Sequence, residues 1–212
     1  MQPGRGRPTA LRPLSAGPRV PGTEETRMSH DQHTALRSMH DLGLATWFGG
    51  NLMGAVGLNR ATSAAKDPSE RTRLDSIGWS AWWPVQGAAI AAHLVGSVGM
   101  LRADRKRLAT DGGAASNTAL KTAITVAAIA TSAASGVLGA KVAQAAPVPA
   151  DAATEPGPET PADTAAAQKA LKPLQWVNPA LTGVLIVLAA QQSEQQRTSS
   201  LLRGAFGHGL TS

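Results

Sequence analysis

Ile77–Leu101 reads IGWSAWWPVQGAAIAAHLVGSVGML, twenty-five residues without Asp, Glu, Lys or Arg; charge returns at once in Arg102-Ala103-Asp104-Arg105-Lys106-Arg107. As a helix rising about 1.5 Å per residue the stretch covers roughly 37 Å, more than the hydrocarbon core of about 30 Å. A charge at its centre would cost about 2.5–3.5 kcal/mol on an insertion scale, and none is present. The stretch is therefore expected to cross a membrane. Trp79, Trp82 and Trp83 cluster at its start, as indoles do at a lipid–water boundary. Pro84 falls in the expected opening turns, where a missing N–H matters least.

Three other uncharged stretches follow the same pattern: 42–58 (LGLATWFGGNLMGAVGL), 122–140 between Lys121 and Lys141, and 176–192 (WVNPALTGVLIVLAAQQ). Trp176 and Pro179 open the last one as Trp83 and Pro84 open the second, so four of the five tryptophans are expected at one membrane face. The expected fold class is all-α: a transmembrane four-helix bundle over residues 29–192, with spans at about 42–58, 77–101, 122–140 and 176–192. Residues 1–28 are rich in Pro, Gly and Arg. They read either as a disordered tail or as sequence upstream of a native start at Met28. Residues 142–175, rich in Pro and Ala with scattered acids, read as an extended, disordered linker between the third and fourth helices. Residues 193–212 read as a polar tail.

Composition sets further bounds. Aromatics make up 3% of the 212 residues, too few for an ordinary aqueous core, and Ala and Gly supply most of the apolar count. Small residues suit helix–helix contact in lipid, where they let backbones approach. The mean hydropathy of −0.10 averages the apolar stretches with polar tails and a long loop. The absence of cysteine excludes disulfides, zinc–thiolate sites, iron–sulfur clusters and thiol catalysis. The net charge of +6 comes from basic residues in tails and loops beside the spans, as the positive-inside rule expects, so no nucleic-acid partner is assigned. The side holding both termini and the 102–121 loop is slightly the more basic, which places the termini in the cytoplasm and the protein in the cell membrane.

Two groups of residues stand out within the spans. Gly43, Gly50, Gly54 and Gly57 fall within about 60° of one another around a helix, and Ser132, Gly136 and Gly139 share a face with Thr125 and Ala128. Both rows read as flat helix-packing seams. Asn51 lies at mid-depth, and Gln86, His93 and Ser97 form a polar stripe, so these four are the expected intramembrane polar cluster. Counted from span ends on one membrane face, Asn51 and His93 come to nearly equal depth, which predicts a hydrogen bond between them. His30, His33 and His40 read as solvated, His40 at a span boundary and apart from His93. No carboxylate enters a span. No GxSxG, Walker, GxGxxG, HExxH or EF-hand pattern occurs, so the chain is not expected to be an enzyme, and no catalytic, cofactor or metal residue is assigned.

The stretch His40-Asp41-Leu42-Gly43-Leu44-Ala45-Thr46-Trp47-Phe48-Gly49-Gly50, continued by Gly54-Ala55-Val56-Gly57-Leu58-Asn59, resembles small, uncharacterised four-span integral membrane proteins of high-GC actinobacteria. The resemblance covers roughly residues 28–192 and implies a layout rather than a chemistry. His40, Trp47, Gly49 and Gly50 also resemble a helix opening of the copper-resistance D-type membrane family, the rest of whose histidine pattern is missing here. The leading expectation is a non-enzymatic helical scaffold or partner-binding protein, with the lipid bilayer and either a second copy or another membrane protein as partners. The alternatives are a metal- or haem-binding membrane transporter or sensor using His93, and a soluble Ala-rich helical bundle.

Overall fold

The computed structural model describes residues 23–105, 109 and 112–207. Among them the chain is helical, with no strand beyond a single bridge between Ala152 and Glu155. Helix α1 (Thr23–Met53) passes through one π-helical turn (Gly54–Leu58) into the short α2 (Asn59–Ser63); α3 (Pro68–Ala103), α4 (Gly112–Ala145) and α5 (Ala162–Gly207) follow. The four long helices have 31, 36, 34 and 46 residues, so even the shortest reaches roughly 46 Å. Helix α1 packs on α3 and α4 on α5, and α1–α5 and α3–α4 contacts close the ring.

Three of the helices are long and apolar enough to cross a membrane: Pro68–Ala103, Ala115–Ala145 and Ala162–Glu194. The first expected span, 42–58, covers the apolar end of α1 and the π-turn after it; the other half of α1 carries TEETRMSHDQHTALRSMHD. Local chemistry explains the sharp start of α3. Asp67 caps it, its carboxylate accepting from Ser69 N at 2.9 Å, and Pro68 takes the first turn, where its missing N–H is harmless. Because α3 and α5 begin so early, Pro84 and Pro179 stand well inside them rather than in opening turns. Each therefore leaves a main-chain carbonyl four residues back, at Ser80 and Gln175, without its usual helical donor.

The expected boundaries shift at both ends. Thr23–Met28 already belong to α1, while residues 1–22 of the expected tail lie outside the described residues. Helix α5 carries the expected polar tail on to Gly207, and 208–212 lie outside the described residues. The larger correction concerns 142–175, which is not an extended linker. Helix α4 runs to Ala145, α5 begins at Ala162, and residues 146–161 fold into a cap over one end of the bundle. Thr72 Oγ1 donates to Val148 O at 2.8 Å and accepts from Val148 N at 3.0 Å. Arg71 Nη1 donates to Ala150 O and Asp151 O, both at 3.1 Å, and Gln168 Nε2 donates to Ala152 O and Ala153 O. Ala150 and Ala153 are buried beneath these bonds. Composition resembles disorder here because order comes from hydrogen bonds to side chains on α3 and α5, not from apolar periodicity.

Thr72→Val tests this anchor. The hydroxyl is fully buried, and its loss strands both main-chain groups of Val148, so the cap is expected to loosen by about 1–3 kcal/mol. Proteolysis within 146–161 should accelerate while the helical circular-dichroism signal is kept; an unchanged cleavage rate would refute the anchor.

Candidate functional site: a polar interior with two cavities

The middle of the bundle is built from Leu44, Trp47, Ala89, Ala128 and Leu185. Trp47 is the one large aromatic among them. Its indole Nε1 donates to Ser132 Oγ at 3.1 Å on α4, and Asn178 Nδ2 on α5 donates to the same hydroxyl at 2.6 Å. Ser132 thus ties three helices together at one buried point. Around it the interior is unusually polar: Asn51, Gln86, His93, Asn178 and Thr182 are all buried.

The four residues expected as one polar cluster separate into two. Asn51 Nδ2 donates to Trp47 O, 2.7 Å away on its own helix, and His93 Nδ1 lies 3.3 Å from His40 O. Asn51 and His93 are therefore not bonded to each other. The reason is register: Leu36 and His40 meet Gly99 and Gly96, and Gly43 meets Ala89 and His93, so α1 is displaced along α3 relative to a count from span ends. Asn51, next to Gly50, comes level with Trp82 instead, about three turns from His93.

Glycine sets that register. A Cβ on Gly43 would stand 2.5 Å from Ala89 O and 2.6 Å from His93 N, so backbones touch there. Gly50 and Gly54 serve differently: they are notches that receive the indoles of Trp82 and Trp79, and Gly136 on α4 receives Trp83. Gly57 faces only Met53 of its own helix, and Gly139 faces open space. Trp79 and Trp82 are thus half-buried between helices, while Trp83 and Trp176 are exposed.

One cavity, of about 250 Å³, opens at the end of the bundle where α3 leads towards α4; His40, Asp41, His93, Ser97 and Lys121 line it. His40, expected to be solvated and separate from His93, is buried, and the two rings are 4.4 Å apart between centroids at 40°. His40 Nδ1 lies 2.7 Å from Asp41 Oδ1, so each ring has one nitrogen engaged. Lys121 donates to Gln192. Among the described residues no three His, Cys, Asp or Glu side chains converge as metal ligands.

The second cavity, of about 240 Å³, lies at the opposite end beneath the cap, where Ala153 and Thr154 help to close it. Asn51, Asp75, Trp79, Trp83, Gln86 and Gln175 line its polar and aromatic walls. Asp75 is 8% exposed and buried in the bundle, two residues before the expected 77–101 span, which itself holds no carboxylate. Trp79 lines the cavity beside it, one helical turn on. Asn59 Nδ2 donates to Gln175 Oε1 at 2.6 Å; were the amide turned over, its nitrogen would instead lie 3.3 Å from Asp75 Oδ1 and 3.2 Å from Gly54 O. The π-turn places Asn59 there: the extra residue between Gly54 O and Asn59 N–H rotates the following residues toward α3. The uncharged run does not reach Asp75, which precedes Ile77 by two residues; its spacing with Trp79, Trp83 and Gln86 along one helix face is the signal that marks it. No family model matches this chain, nor does any curated protein or solved structure.

Proposed function

We propose that this chain is a multi-pass integral membrane protein of the cell membrane, a non-enzymatic four-span bundle that acts as a scaffold or binds a partner. The observation that carries this reading is the inversion of its polarity. Asn51, Thr72, Gln86, His93, Ser132 and Asn178 are buried, while Leu42, Val56, Ile77, Val95, Val126 and Val187 are more than half exposed. In water such an arrangement wastes the hydrophobic driving force and leaves large apolar patches uncovered. In lipid it is the stable one, because an apolar outside faces acyl chains and interior polar groups bond one another. The apolar half of α1 lies along the apolar part of α3, so it shares the depth of a helix long enough to span. Four spans bring both termini to the side of the α3–α4 connection, which the charge bias assigns to the cytoplasm.

The test is fractionation followed by labelling. The chain should stay in the pellet after an alkaline carbonate wash; recovery in the supernatant would instead favour the soluble Ala-rich bundle. Because the chain has no cysteine, single replacements give clean reporters. In intact cells an impermeant maleimide should reach Glu159→Cys in the cap and leave Ser116→Cys unlabelled until the membrane is opened. Labelling of both before permeabilisation would overturn the four-span layout.

A further inference from the structure

The geometry points to the cavity beneath the cap as a binding site for a small organic cation, an alkyl- or arylammonium ion held by the Asp75 carboxylate between the indoles of Trp79 and Trp83. This goes beyond the membrane reading and does not depend on it, since the site lies inside the bundle whatever surrounds it.

The first argument is charge. Among the described residues lining the cavity Asp75 is the one ionisable group, and no Lys, Arg or His faces it. A buried carboxylate with hydrogen-bond donors but no counter-ion is poorly compensated. Trp79 and Asn59, uncharged donors in the same lining, stand beside it without neutralising it. A ligand cation would complete the site.

The walls select the kind of cation. Trp79 leans onto Gly54 of the π-turn and Trp83 onto Gly136 of α4, so two indoles stand on different sides of the Asp75 helix face. Indole faces attract weakly hydrated ammonium groups. Magnesium or calcium would need a cage of several oxygens, and only one carboxylate is offered. Ser80 and Gln175, whose carbonyls Pro84 and Pro179 deprive of their helical donors, are among the residues that line the cavity. A volume of about 240 Å³ suits a ligand of benzylamine size rather than a peptide or lipid. Trp83, 39% exposed, stands at the rim and gives the route in.

The test titrates the full chain in mild detergent with benzylamine and with benzyl alcohol, its uncharged counterpart of nearly the same shape, following tryptophan fluorescence. Benzylamine should quench saturably and bind at least about tenfold more tightly than the alcohol, because the charge-assisted contact belongs to the amine alone. Asp75→Asn should erase that preference, and Trp83→Phe should weaken the amine by about two- to fivefold while sparing the alcohol. Equal binding of amine and alcohol by the unaltered protein would overturn the assignment without any variant, so a misfolded Asp75→Asn cannot shield it. A folded Asp75→Asn that kept the amine preference would overturn it equally.

Discussion

Trp47→Ala should lower the stability of the bundle by about 3–5 kcal/mol, the largest effect expected of any single truncation in this chain. The indole is completely buried, and its immediate core neighbours include Ala89 and Ala128, which have no side chain with which to refill the space. The backbone contacts that close the ring run around its edges, whereas Trp47 reaches from α1 to α4 across it through Ser132. Truncation therefore removes packing at the centre and a cross-bundle hydrogen bond together. Trp47→Phe separates the two losses: it keeps most of the apolar volume and gives up the N–H, with an expected cost of about 1–2 kcal/mol, because Asn178 still donates to Ser132 Oγ. Unfolding in mild detergent, followed by far-ultraviolet circular dichroism, measures both. If the alanine variant unfolds no more readily than the phenylalanine one, the centre of the bundle lies elsewhere.

Gly43→Ala should cost about 3 kcal/mol although it adds a single methyl group. Its Cβ would stand 2.5 Å from Ala89 O and 2.6 Å from His93 N, both main-chain atoms of α3 that cannot turn aside as a side-chain tip would. The helices must part, and the loss spreads along the whole α1–α3 seam, including the Trp82 and Trp79 notches. Gly49→Ala, six residues on, is the control. Nothing lies within 4 Å of its Cβ position, so the same chemical change should be neutral or stabilise by up to about 1 kcal/mol through helix propensity. The pair is compared by melting temperature in one detergent. Similar shifts in the two variants would show that glycine acts here through chain flexibility and not through contact.

Much of the architecture was legible from residue type alone. Uncharged runs and the density of Gly and Ala lead to long helices in close contact, because hydrogen bonding within a helix and the cost of exposing or burying charge are local properties. The depth pairing of Asn51 with His93 was not legible. It needed the slide of α1 along α3, which depends on where each glycine finds a backbone or an indole on the facing helix. The cap over 146–161 was hidden for a related reason: Thr72, Arg71 and Gln168 order it through partners about fifteen to eighty positions away in sequence.

By itself the chain's order of residues determined that it is helical, where charge is excluded, and which positions are small enough for helices to meet. Tertiary structure alone decided which polar groups share a cavity: it set the His40 ring against that of His93, carried Asp75 inside and set Trp47 between the two ends. Helix formation is settled by interactions within a few residues. Register and cavity shape come from side chains interlocking across helices, and no periodicity along one strand of sequence encodes the partner on another.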